Sequence, residues 1–85
     1  MEILPSKLFR RNLKKLSRVL RLKTEQRDEI FRNNPFDPRL KTHKLHGEKK
    51  GEWAYSVDRS YRITFVFMEN GKVVYTNIGT HDELY

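Results

Sequence analysis

Arg62 stands inside the apolar run Tyr61–Phe67, and His81 and Tyr85 fall in the closing stretch Gly79-Thr80-His81-Asp82-Glu83-Leu84-Tyr85. A guanidinium, an imidazole and a phenol suit phosphate chemistry. The planar fork of arginine donates two parallel hydrogen bonds to phosphate oxygens. An unperturbed histidine titrates at about 6.5, so it gives or takes a proton near neutral pH. RNA brings its own nucleophile, the 2′-hydroxyl. Its cleavage then needs a base for that hydroxyl, cationic donors for the charge growing on phosphate, and an acid for the departing 5′-oxygen; no metal is obligatory. Aromatic rings stack splayed bases, worth about 1–3 kcal/mol each.

Each residue also has an ordinary use. Arg62 could serve an ion pair with Asp82 or Glu52. His43 and His46, in Leu40-Lys41-Thr42-His43-Lys44-Leu45-His46, have ligand-like spacing but no third partner, which is too few for a zinc site. Glu48 and Glu52 are candidate bases that could equally be solvated loop carboxylates. Trp53 and Tyr55 are core residues or base platforms, and Tyr85 either stacks on RNA or anchors the chain end. The candidate RNA contacts are Lys41, Lys44, Lys49, Lys50, Arg59 and Tyr55.

The elements that must position these groups follow from periodicity. Ile3 and Leu4 start a short strand over residues 1–5, and Ser6 is placed to cap a helix. Phe9, Leu13, Leu16 and Leu20 fall on one helical face. Thr24, followed by Glu25, is predicted to cap a second helix, stopped at Asn33-Asn34-Pro35 because proline lacks an amide hydrogen. So short a junction predicts an antiparallel helical hairpin. Beyond Pro38 the period changes. Leu40–Leu45 reads as a short strand, residues 47–51 as a charged loop, and Trp53–Val57 and Tyr61–Met68 as alternating strands around a turn at Asp58-Arg59-Ser60. Asn70-Gly71 predicts a two-residue hairpin turn with Glu69 opposite Lys72, leading into a strand over Val73–Ile78. That register sets Arg62 opposite Gly79, on the face away from Tyr61, Ile63 and Phe65, with His81 two residues further along. A bulge would disturb it.

With 85 residues the chain is read as one domain, 1–85, with a single modest core. Charged residues make up 34%, but five Phe, four Tyr and one Trp argue against disorder. The absence of cysteine excludes disulfides. No signal segment or membrane-length apolar run is seen, so a soluble, cytoplasmic protein is expected, with no membrane partner. Eighteen Lys+Arg against eleven Asp+Glu give +7, which implies a polyanion, an acidic protein partner, or both. Residues 7–23 hold eight basic side chains and no acid, readable as a solvated helix face; residues 39–50 form a second basic cluster leading into the aromatic strand.

Asn34-Pro35-Phe36-Asp37-Pro38-Arg39-Leu40-Lys41-Thr42-His43-Lys44-Leu45-His46-Gly47, Trp53-Ala54-Tyr55-Ser56-Val57-Asp58, Tyr61-Arg62-Ile63-Thr64-Phe65 and the closing stretch resemble the RelE/ParE toxin superfamily, nearest its RelE- and YafQ-like mRNA interferases. The likeness spans the whole chain. It implies an α+β microbial-RNase fold: an N-terminal strand and a two-helix antiparallel hairpin packed on a twisted, mainly antiparallel sheet of three to four further strands. It further implies the toxin of a type II toxin–antitoxin pair, cutting mRNA in the ribosomal A site by 2′-OH attack with neither metal nor cofactor. A cognate acidic antitoxin would neutralise it, and operator DNA would be met only through that complex. By resemblance Arg62 matches the phosphate-stabilising arginine, His81 a general acid or charge donor, His43 a catalytic histidine, and Tyr85 an aromatic that orients RNA. Ser56 and Ser60 stand where YafQ-like members place His and Asp, and Trp53 and Tyr55 where RelE has lysines. His43 is the favoured general base, with Glu52 the alternative. A ParE-like gyrase inhibitor and a non-catalytic RNA-binding module are the competing readings.

Overall fold

The computed structural model describes residues 1–49 and 51–85. Strand β1 (Glu2–Pro5) is followed by helices α1 (Lys7–Lys14) and α2 (Arg18–Asn33), a 3-10 turn at Pro38–Leu40, strand β2 (His43–Lys44) and a second 3-10 turn at Gly47–Lys49. Strands β3 (Trp53–Ser56), β4 (Tyr61–Phe67) and β5 (Lys72–Thr80) come next, and a one-turn helix, α3 (His81–Leu84), closes the chain. The strands form one sheet in the order β1-β5-β4-β3-β2, with β1 parallel to β5 and the remaining pairs antiparallel. This is the expected α+β architecture, with four strands after the helices.

The core lies between the helices and one face of the sheet. Phe31 of α2 is fully buried, stacked on Tyr55 with ring centroids 4.8 Å apart and edge-on to Phe65 at 4.8 Å. Phe9 of α1 meets Tyr75 at 5.1 Å. The opposite face carries His43 beside Ala54, Ala54 beside Thr64, and Ser56 beside Arg62, which pairs with Gly79.

Ser6 caps α1 as expected, its hydroxyl accepting from Phe9 N at 3.1 Å. The helix break is not where the sequence reading put it. Lys15 N and Leu16 N bond back to Asn12 O and Leu13 O, tightening the last turn of α1, and the Ser17 hydroxyl accepts from Leu20 N at 3.2 Å. Thr24 is no cap. It is buried in the middle of α2, donating its hydroxyl to Leu20 O at 2.8 Å. The apolar stripe predicted as one helix is therefore shared between two.

The expected strand over Leu40–Leu45 shrinks to His43–Lys44. The Asp37 carboxylate accepts from Arg39 N at 2.9 Å and starts the 3-10 turn, and Lys41 leaves it in the left-handed region, with φ 53°. The hairpin is also longer than predicted. Met68 N bonds Lys72 O at 2.8 Å, so Glu69, Asn70 and Gly71 form a three-residue loop in which Gly71 alone takes positive φ, 74°. That shifts the strands by one residue, Phe65 facing Tyr75, until an irregularity between Thr64 and Phe65 leaves Thr76 as the extra residue. Beyond it the predicted register returns, with Arg62 opposite Gly79. The bulge thus restores the arrangement it was expected to spoil.

Candidate functional site

The site forms on the sheet face away from α1 and α2, where α3 lies over β4 and β5 and Tyr85 reaches His43 of β2. β5 does not carry His81 onward as a strand. Thr80 caps α3 by accepting from Glu83 N, while Glu83 Oε1 accepts from Thr80 N at 2.7 Å, a reciprocal capping box. The backbone amide of Thr80, before its hydroxyl, holds the Glu83 carboxyl below its ordinary range. One turn later Tyr85 returns against His81, ring centroids 4.3 Å apart. Gly79 makes room for this fold-back: a Cβ there would lie 3.1 Å from Glu83 Oε1 and 3.5 Å from Leu84 Cδ2.

Tyr85 also faces His43, its hydroxyl 3.5 Å from Nε2. On the other side of that ring, His43 Nδ1 lies 2.9 Å from Lys41 O. A carbonyl only accepts, so Nδ1 carries the proton in the neutral ring and Nε2 keeps its lone pair. The left-handed turn at Lys41 therefore sets the tautomer a general base requires. Burial pushes the Tyr85 phenol up, and the Arg62 cation draws it part of the way back.

Arg62 is half-buried. Its Nη1 donates to the carbonyls of Asp58, Arg59 and Tyr61 at 3.0, 3.0 and 3.3 Å, tying the β3–β4 turn. Among the described residues it has no carboxylate within 4.0 Å, so neither Asp82 nor Glu52 pairs with it. Its Nη2 and Nε make no hydrogen bond there either, leaving donors on a fixed guanidinium. Histidine 81 is exposed, with Nδ1 3.7 Å from its neighbour Asp82 Oδ1.

The other sequence candidates divide. Lys44 and Lys49 line a hollow of about 440 Å³ with His43, His46, Glu48 and Tyr85. Lys41 and Arg59 line a second hollow of about 320 Å³ with Arg62. Glu52 lies on the same sheet face but apart from the His43–Tyr85–His81 group, accepting from the Thr76 hydroxyl at 2.8 Å, which in turn meets Thr64 Oγ1 at 2.7 Å. Tyr55 is no RNA contact. It is wholly buried, its hydroxyl 2.9 Å from that of Tyr75, and burial drives its pKa up. Lys50 lies outside the described residues. Among the described residues no group of three His, Asp or Glu could hold a metal, so His43 and His46 gain no third ligand. No described helix is long and apolar enough to cross a membrane. Lys23 and Arg39, which line the second hollow, fell inside the two basic clusters of the sequence without being singled out as site residues, and Arg27 stood outside both; the signal joining Lys23 to Arg27 is their spacing of four on one helical face.

The five-stranded mixed sheet, two-helix layer and folded-back α3 define a RelE/YafQ-like fold. YafQ from E. coli superposes with a TM-score of 0.82 at 19% identity, over 99% of this chain and 97% of that one. A YoeB/ParE toxin from Agrobacterium tumefaciens gives 0.80 at 13% identity, over 95% and 99%. YafQ in the E. coli DinJ-YafQ complex gives 0.71 at 20% identity, over 99% and 97%. No family model and no curated protein matches the chain.

Proposed function

We propose that this protein is the toxin of a toxin–antitoxin pair and an endoribonuclease that cuts mRNA held in the ribosomal A site. The observation carrying the reading is the meeting of His43 and His81 at the Tyr85 phenol, on the sheet face that also carries Arg62. In the mechanism, His43 Nε2 takes the proton of the 2′-hydroxyl. The 2′-oxygen attacks phosphorus, Arg62 donates to the phosphate oxygens as charge grows, and the 5′-oxygen departs, leaving a 2′,3′-cyclic phosphate. His81, exposed on the other side of Tyr85, supplies the leaving-group proton, and Tyr85 orients the RNA. The nucleophile belongs to the substrate, so the route calls on no metal. The DinJ-YafQ structures on this fold support an antitoxin partner, and the net charge of +7 favours an acidic one.

The test is cleavage of mRNA, free and ribosome-bound, by the purified protein. His43→Ala is expected to lower the rate by about 10²–10⁴, and Arg62→Ala by about 10²–10³. A 2′-deoxy substitution at the cut position should abolish product. Undiminished cleavage by both variants would overturn the assignment. Intact mRNA with altered DNA supercoiling after expression would favour gyrase, and salt-sensitive binding without cleavage a purely RNA-binding role.

A further inference from the structure

The hollow of about 320 Å³ beside Arg62 gathers Lys23 and Arg27 from α2, Arg39 and Lys41 around the first 3-10 turn, Arg59 from the β3–β4 turn and Arg62 from the start of β4. Asp58 is the single acid in its wall, and its Oδ1 already accepts from Ser60 N at 2.9 Å and Tyr61 N at 2.7 Å. Arg39 is engaged by Asp37 at 2.8 Å. The other five cations have no carboxylate within 4.0 Å among the described residues. Lys23, Arg27 and Arg62 are, moreover, partly withdrawn from water. Six cations against Asp58 and Asp37 leave the hollow strongly positive; like charges in such excess repel one another, so an incoming anion is favoured there.

Two residues connect this hollow to the His43–Tyr85 site. Arg62 lines the hollow and pairs across the sheet with Gly79, just before the fold-back of α3 that presents Tyr85. Lys41 lines it too, and its carbonyl holds His43 Nδ1. We infer that the hollow is a phosphodiester subsite, gripping the backbone of a single-stranded RNA at a phosphate adjoining the one that is cut. This rests on the ribonuclease reading above and adds the element that sets the path of the strand: from the His43–Tyr85–His81 group, past Arg62, toward α2. Arginine and lysine side chains from three separate elements give charge and room, and the contacts they make to phosphate carry no sequence information.

The test is fluorescence anisotropy with a 2′-O-methyl single-stranded oligonucleotide, which cannot be cut, titrated at several salt concentrations. Lys23→Gln/Arg27→Gln should weaken binding on the order of fivefold per cation at 0.1 M salt and reduce the salt slope by about 0.7 per cation. Arg59→Gln, on an exposed turn, should do the same for one cation and guards against a folding defect in the double variant. Lys7→Gln/Arg10→Gln removes equal charge from α1, away from the hollow, and should leave the slope nearly unchanged. Equal losses from both pairs, or none from the hollow, would overturn the subsite, as would an effect confined to a duplex of the same length. Because nothing is cut in this assay, failure of the nuclease assignment appears separately, as an intact 2′-hydroxyl substrate.

Discussion

Two hydrogen-bond chains show how single residues are held. The first runs Tyr55 to Tyr75 at 2.9 Å, Tyr75 to Asp28 at 2.7 Å, and Asp28 to Arg32 at 2.8 Å. Tyr75 donates to the carboxylate, so Tyr55 donates to Tyr75. Tyr75→Phe strands the buried Tyr55 hydroxyl and takes one of two donors from Asp28, and is expected to cost about 1–3 kcal/mol, whereas Tyr55→Phe removes only a terminal donor, worth about 1 kcal/mol. Urea unfolding of both variants checks the order; a cost for Tyr55→Phe equal to or above that for Tyr75→Phe would contradict it. The second chain is Lys41 O, His43 and Tyr85. The resemblance marked His43 as catalytic, but its tautomer depends on a left-handed residue that no residue pattern announced. Arg62→Lys keeps the charge and loses the fork. It is expected to lower RNA cleavage by about 10² while binding changes little, a split that kinetics under single-turnover conditions would resolve.

At the scale of elements, what was legible was whatever rests on alternation or on one strong cap. Ser6, the stop at Asn34-Pro35 and the faces of β3 and β4 fall in this group. The helix break was misread because Ser17 and Thr24 are both capping residues, and only tertiary burial of Thr24 decides between them. The bulge at Thr76 left no mark in a run of strand formers. Helix α3 was legible, since Thr80-His81-Asp82-Glu83 has the spacing of a capping box, but a terminal His was read as a strand end. The docking of α3 depends on that box and on Gly79. Gly79→Ala forces the Glu83 carboxylate aside and is expected to displace Tyr85 from His43, lowering RNA cleavage about tenfold or more through misplacement of the site alone. Unchanged cleavage, with unchanged Tyr85 ring signals by NMR, would refute it. Acid should act on the same element. Glu83 is held below its ordinary range by the Thr80 amide, and Asp37 is pulled down to about 2, first by the Arg39 side chain and then by its amide. A carboxyl depressed by folding stabilises fully above its unfolded value of about 4 and loses that contribution as pH falls through the lower folded value. The Arg39 amide should therefore shift between about pH 4 and 2, and the Thr80 amide below about pH 4, while the Phe65 amide stays fixed; movement confined to pH above 6 would contradict the assignment.

At the scale of the whole molecule, charge and stability oppose each other. Of eighteen Lys and Arg, only Arg32, Arg39 and Lys72 form ion pairs among the described residues, all three on the surface. Such exposed pairs are worth about 0–1 kcal/mol each. The fifteen cations left outnumber the eight carboxylates left, and five of them line the hollow between α2 and the β3–β4 turn. Salt screens repulsion and attraction alike, over about 10 Å at 0.1 M; with repulsion dominant, the net effect must be stabilising. The melting temperature is therefore expected to rise with sodium chloride from about 0.02 to 0.5 M, by about 4–8 °C for each kcal/mol recovered. Lys23→Gln/Arg27→Gln should start from a higher melting temperature at low salt and respond less to added salt, because the substitutions remove what salt would have screened. A protein whose cations are balanced by structural carboxylates would behave in the opposite way, losing stability as its ion pairs are screened. A falling or flat melting temperature in calorimetry would mean that the cationic hollow carries no electrostatic strain, and that an incoming phosphate has nothing to relieve.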